Sequence, residues 1–152
     1  MKHQFKYVLL VICILWQVAV AQNKGINWSV DGTGYYTIKE GNIMRNDPKT
    51  EAQTLVMAKE KLTPPGASSP LNIQSFDYSA DRNKILLFTN TAKVWRYNTR
   101  GDYWVLNTAA NQLKQLGRGL ASQSLMFAKF SPDSRYVAYV SEHNLFVEDV
   151  NT

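Results

Sequence analysis

The chain has 152 residues, enough for about one domain, with 45% hydrophobic, 12% aromatic and 19% charged positions. Eight Tyr, six Phe and four Trp exclude ordinary intrinsic disorder and favour a pleated, packed β-structure. The net charge of +5 is scattered along the chain, which excludes the clustered basic face of a nucleic-acid binder.

The first 21 residues read as a secretory leader. Lys2, His3 and Lys6 give a positive start, Tyr7 to Trp16 is an unbroken apolar run, and Ala19-Val20-Ala21 supplies the small residues of a cleavage site. Gln22 is then the expected mature N-terminus. Gln17 interrupts the run, which is far shorter than the roughly 20 apolar residues of a membrane span, so a membrane anchor is the weaker reading. Removing Lys2 and Lys6 leaves 15 basic against 12 acidic residues, a net +3. Cys13, the single cysteine, lies inside the apolar run, so neither disulfides nor thiol chemistry is expected of the mature chain.

The remainder is organised by a repeat. Trp28-Ser29-Val30-Asp31-Gly32 recurs as Tyr78-Ser79-Ala80-Asp81-Arg82 and as Phe130-Ser131-Pro132-Asp133-Ser134, at spacings of 50 and 52 residues. That is about the length of one four-stranded propeller blade. The first and third copies stay in register, offset by 102: Glu40 with Glu142, Asn42 with Asn144, Asp47 with Asp149. Each unit reads the same way. An apolar strand ends at the aromatic residue, and Ser and Asp then form a tight turn, because their short side chains bond nearby backbone amides.

A second strand follows at Tyr35-Tyr36-Thr37-Ile38, at Lys84-Ile85-Leu86-Leu87-Phe88 and at Tyr136-Val137-Ala138-Tyr139-Val140. In the outer copies Gly41-Asn42 and His143-Asn144 are read as two-residue hairpin turns leading to third strands at Ile43 and Leu145. Ser134 and Arg82 stand where a turn glycine is usual, and both are read as tolerated in exposed turns. The middle hairpin is longer, through Val94 to Leu106, and is completed by an outer strand at Gln112–Leu116. Ala52 to Lys61 reads as a weak helix or, equally well, as the outer strand Gln53–Met57 and its exit. Lys61 to Pro70, with three prolines, and Leu116 to Gln123, with two glycines, are loops.

Self-contained chemistry finds no support in the sequence. No G-x-S-x-G occurs, and His143, the one histidine outside the leader, falls at a hairpin tip. No catalytic residue, metal site or cofactor is therefore expected; Glu148 and Asp149 are adjacent but point to opposite faces of a strand. Arg100-Gly101-Asp102 spells an adhesion tripeptide that is also good hairpin chemistry. Asn27-Trp28-Ser29 is a formal glycosylation sequon beside a buried strand. The basic and aromatic stretch Lys93 to Tyr103 imitates a single-strand nucleic-acid platform, but an alternating, secreted strand argues against that partner.

The expected fold is all-β: a partial β-propeller of about two and a half to three antiparallel blades over residues 22–152, preceded by a signal-peptide helix over 1–21. Propellers close with about four to eight blades, so the propeller reads as truncated. Its last blade is expected to expose strand edges and to be unstable alone.

Two stretches carry a family resemblance. Lys93-Val94-Trp95-Arg96-Tyr97 with Tyr103-Trp104-Val105-Leu106-Asn107 is similar to a "W-R-x-S/N … Y-x-x-x-D" hairpin. Met126 to Asp133, then Val137-Ala138-Tyr139-Val140 and Asn144-Leu145-Phe146-Val147, is similar to "P-x-x-S-P-D-G-x-x-I/V-A-Y-V … N-L-Y-V". Both resemble the N-terminal propeller of the dipeptidyl peptidase IV group in the prolyl oligopeptidase family of serine peptidases. The resemblance implies a propeller that gates access to a C-terminal α/β-hydrolase domain, which performs the proteolysis. It implies a peptide substrate, room for a homodimer, no nucleic acid, and a secreted or periplasmic location. It also carries a substrate-binding role to Arg96, expected to bond a backbone carbonyl of the peptide. The bland reading of Arg96 is a solvated hairpin arginine beside a buried Trp95. The family's paired glutamates and its Ser, Asp and His have no counterparts in these residues, so this chain alone is not expected to be catalytic. The alternative is a non-catalytic periplasmic propeller of TolB or WD-like kind, serving as a protein-binding scaffold.

Overall fold

The computed structural model describes residues 26–151; the leader, and with it the proposed cleavage after Ala21, lies outside them. Eleven antiparallel strands make up about half of the described residues, and turns and loops join them. The first blade is a four-stranded meander: β1 (Asn27–Trp28), β2 (Tyr35–Lys39), β3 (Asn42–Asn46) and β4 (Gln53–Met57), in that spatial order. The ambiguous Ala52 to Lys61 segment thus resolves as an outer strand followed by a short 3-10 turn, Lys59–Leu62. The second blade is β5 (Ile73–Tyr78), β6 (Lys84–Val94), β7 (Tyr97–Asn107) and β8 (Gln112–Gln115). The third comprises β9 (Leu125–Phe130), β10 (Tyr136–Ser141) and β11 (Asn144–Asp149).

Three copies of one turn set the fold. In each, the serine hydroxyl donates to the aspartate two residues on (Ser29 to Asp31 2.5 Å, Ser79 to Asp81 2.6 Å, Ser131 to Asp133 2.5 Å). The same hydroxyl accepts from the backbone N–H five residues on, at 2.9, 3.0 and 2.9 Å. The residue after each aspartate is left-handed: Gly32 at φ 66°, Arg82 at 61° and Ser134 at 61°. Only glycine adopts this region without steric cost, so the two substitutions are strained and must be compensated. Arg82 lays its guanidinium over the Tyr78 ring at 4.8 Å. Ser134 corrects the expectation of an exposed turn: it is buried, and its Oγ accepts the N–H of Asp81 at 3.1 Å, tying the third blade to the second.

A second turn also repeats. Asp47, Asn107 and Asp149 each accept backbone N–H groups two residues on, at 2.8, 3.1 and 2.8 Å.

The short hairpins sit one residue earlier than the sequence suggests. Lys39 pairs with Asn42 and Ser141 with Asn144, so the turns are Glu40-Gly41 and Glu142-His143. Both glutamates take up φ 53°, and the asparagines expected in the turns pair as strand residues instead.

The two cores lie between blades. Ile85 and Leu87 of β6 face Ile43, Met57, Leu62 and Phe76, while Leu86 and Phe88 face Val105, Leu125, Val137 and Tyr139. Both faces of β6 are buried, which is why it reads as a continuous apolar run rather than as an alternation. Each such fully buried aliphatic side chain contributes about 1.5–3 kcal/mol of burial. Among the described residues only one face of blade three has a neighbour: Leu145 is 72% exposed, whereas Ile43, its equivalent at the 102-residue offset, is 0% exposed.

The first strands of the blades gather on one side. Asn27 of β1 donates its amide to the Phe76 carbonyl of β5 at 2.6 Å, and Lys129 of β9 pairs with Asp77 of β5 at 3.5 Å. This is the inner edge, where a propeller keeps its channel.

Candidate functional site

Among the described residues the middle hairpin is the one element that outgrows its blade. β6 and β7 run eleven residues each, and beyond the blade they continue as a two-stranded arm. The pairing is regular from Lys84 with Asn107 to Thr89 with Asp102, then shifts register twice before ending at Val94 with Tyr97.

The base of the arm is built from small and polar residues. A Cβ at Gly101 would lie 2.5 Å from the Phe88 ring and 2.6 Å from the Thr89 carbonyl, so no larger residue fits there. Asp102 accepts from Asn90 at 2.7 Å, from Ser122 at 3.2 Å and from the N–H of Gln123 at 2.7 Å. Gln123 in turn donates to Asn90 at 3.0 Å. At the same level β7 leaves β8 and pairs with β9, Arg100 with Met126 and Gly101 with Leu125. The arm therefore links the second and third blades, a long-range pairing the sequence does not signal.

The base also disposes of the adhesion reading. Gly101 is buried and the Asp102 carboxylate is fully engaged, so Arg100-Gly101-Asp102 is not presented as a loop. The sequon asparagine, Asn27, likewise spends its amide on the Phe76 carbonyl.

The tip carries Arg96. Val94 pairs with Tyr97, so Trp95 and Arg96 are the two turn residues. Trp95 adopts φ 59°, a left-handed backbone that a bulky residue rarely takes and that glycine favours in this turn position. Its side chain is 93% exposed, which overturns the expectation of a buried Trp95 beside a solvated arginine. The physical reason is the turn itself: a two-residue loop beyond the last blade contact has no core to enter. Arg96 is also exposed, and among the described residues no hydrogen bond or ion pair engages it. Tyr97 is exposed beside it. The tip thus presents five guanidinium N–H donors in a fixed fork, flanked by two aromatic faces. Such a group is suited to grip a carbonyl or carboxylate oxygen brought to it.

Glu148 and Asp149 do diverge as expected. Glu148 accepts from the Tyr139 hydroxyl at 2.5 Å and from the Gly117 N–H at 2.7 Å, while Asp149 faces Arg135 at 3.9 Å. Burial, and then the hydrogen bond to that carboxylate, push the Tyr139 hydroxyl well above the usual tyrosine range. Glu148 also borders an open groove of about 600 Å³ along β8, on the opposite side of the blade from the inner edge. Among the described residues no three His, Cys, Asp or Glu side chains gather to hold a metal ion.

Residues 79–152 match the sequence profile of the dipeptidyl peptidase IV (DPP IV) N-terminal region. Over this stretch the chain is similar to that family. The matched stretch includes the Trp95–Arg96 arm and the whole third blade. Over 77 residues the chain is 30% identical to dipeptidyl aminopeptidase B of Saccharomyces cerevisiae, covering 51% of this chain and 9% of that protein. Over 124 residues it is 23% identical to a probable dipeptidyl-aminopeptidase B of Ajellomyces dermatitidis, covering 82% of this chain and 13% of that protein. The fold is that of the Porphyromonas gingivalis dipeptidyl peptidase 4 crystal structure, with a TM-score of 0.69 at 24% identity over 85% of this chain and 18% of that one. The chain spans about an eighth of the length of the curated relatives it matches.

Proposed function

We propose that this chain is the N-terminal propeller portion of a secreted dipeptidyl-peptidase-IV-like serine peptidase, and that its share of the work is to gate access and to anchor the peptide. Proteolysis falls to an α/β-hydrolase domain C-terminal to these residues. The observation that carries the reading is the arm: an uncommitted Arg96 on a strained two-residue tip, held out from the blade by a polar base. Strain of this kind costs about 1–3 kcal/mol and persists where a structure over-determines it, commonly at binding sites. Arg96 then bonds a backbone carbonyl near the N-terminus of the peptide, fixing its position relative to a distant nucleophile. Orientation of that sort lowers the barrier by sparing the entropy of alignment.

The leader supports secretion or a periplasmic location, with Gln22 as the mature N-terminus; intact-mass analysis of secreted protein tests this. The functional test is dipeptide release from a chromogenic substrate by the full-length protein. Arg96→Ala is expected to lower kcat/KM by about 10²-fold, the loss of one charge-assisted hydrogen bond of about 1.5–3 kcal/mol. Arg96→Lys is expected to recover only part, because an ammonium lacks the planar fork. A full-length protein with no dipeptide release, or with release indifferent to Arg96, would favour the scaffold reading instead.

A further inference from the structure

Phe127 is out of place. It lies on β9, on the inner edge, at φ 58°, with its side chain 62% exposed. An aromatic residue in the left-handed region within a strand is a genuine outlier. The cause is a bulge. Met126 pairs with Val140 and Lys129 with Ala138, so Phe127 and Ala128 together face the single residue Tyr139. The bulge packs against β7: Ala128 shares one buried cluster with Tyr103, whose hydroxyl lies beside the Phe127 and Ala128 backbone. Burial pushes that hydroxyl up to about 12, so it stays protonated and neutral throughout the physiological range.

The second blade shows that the fold does not need this ring. β5 has the same burial pattern as β9, and it too shifts register, between Ile73 and Ser75. At the 52-residue offset Ser75 is the equivalent of Phe127, exposed as well, without a left-handed backbone. An exposed ring and a strained backbone have thus been added to a strand that folds without either. Bulges re-aim side chains, and they are over-represented beside active sites.

The position says what the ring meets. Met126, its neighbour, pairs with Arg100 at the base of the arm. Arg96, in the turn just before β7, is four residues from Arg100, at most roughly 13 Å at about 3.3 Å per residue. An extended peptide held at its N-terminal end by Arg96 covers that distance in about four residues.

We infer that Phe127 is a specificity-determining contact for an apolar side chain of an extended peptide, three to five residues from the carbonyl that Arg96 grips. The inference rests on the peptidase reading above and deepens it: the protein prefers longer peptides with an apolar residue at that distance.

The test uses the full-length protein and two substrates, a dipeptide chromogenic ester or anilide, too short to reach the ring, and an eight-residue peptide with Leu at the fifth position, compared with Ser there. Phe127→Ser, which installs the blade-two residue, is expected to lower kcat/KM for the Leu peptide by about fivefold to tenfold. It should leave the chromogenic substrate and the Ser peptide unchanged. Phe127→Gly should lose the same preference while relieving the left-handed strain, so a loss there with an unchanged or raised Tm is not a folding defect. Retention of the Leu preference in both variants would overturn the inference while leaving the arm reading intact. Equal losses on all substrates with a lowered Tm would also overturn it, placing the ring against another part of the protein. Indifference of every substrate to Arg96→Ala would remove the peptidase reading, and this inference with it.

Discussion

Gly101 decides whether the arm exists. Replacing it by alanine puts a methyl 2.5 Å from the Phe88 ring and 2.6 Å from the Thr89 carbonyl, where a real contact needs more than 3 Å. Neither neighbour yields easily. Phe88 is buried and stacked on Tyr103 at 4.6 Å between centroids, and the carbonyl is backbone of the paired strand. Overpacking of this kind costs about 1–3 kcal/mol. At about 2 kcal/mol, local opening becomes roughly 30-fold more frequent. Hydrogen–deuterium exchange of the full-length protein reads this directly: peptides covering Lys84–Asn107 should exchange about 30-fold faster in Gly101→Ala. Gly32→Ala is the control, because Gly32 has a left-handed backbone but open space around it, so its cost of about 1–2 kcal/mol stays in the first turn. The arm peptides of Gly32→Ala should exchange as in wild type. If Gly101→Ala also exchanges as wild type there, the close approach does not hold the arm, and the account of its base is wrong.

Other consequences are simpler to state. Ser79→Ala should cost about 1–3 kcal/mol in urea unfolding, because it orphans the buried N–H of Lys84, and Ser131→Ala should cost less, since water reaches that turn more easily. Hydrogen bonds from the serine hydroxyls, first among the causes, hold the Asp31, Asp81 and Asp133 carboxyls below the usual range. Their contribution is therefore complete above the unfolded value of about 4 and is lost as pH falls below it toward the depressed folded values, so Asp→Asn at all three should flatten the acid limb of a Tm-versus-pH curve. Tyr139→Phe leaves Glu148 with the Gly117 N–H and no hydroxyl, and should lower stability by about 1.5–3 kcal/mol without altering Arg96-dependent activity.

Much of this fold is legible in the residues. The Ser-x-Asp turns, the second strands and the outer strands lie where side-chain chemistry and alternation place them, because those signals are local. What is not legible is set by register or by distant contact. Asn42 and Asn144 look like turn residues, yet Glu40 and Glu142 accept the left-handed positions and shift each hairpin by one. Ser134 looks like an idle substitution for glycine until its hydroxyl is seen bonding the Asp81 N–H across blades. The pairing of Arg100 and Gly101 with β9 joins residues 26 and 24 positions apart and leaves no local pattern. The candidate site divides in the same way. Arg96 is legible through its Trp-Arg hairpin, but the exposure of Trp95 follows only from a two-residue tip lying beyond the blade. Phe127 reads as an ordinary apolar strand residue, and only its equivalence with Ser75, at an offset of 52, sets it apart.

The central claim is that Arg96 meets the peptide. A crystal structure of the full-length protein with a slowly cleaved tripeptide bound tests it most directly. The account predicts the Arg96 guanidinium within about 3.2 Å of a peptide carbonyl oxygen, with the arm in the conformation described. A peptide seated productively at the nucleophile with Arg96 in solvent and the arm directed away from it would contradict the account.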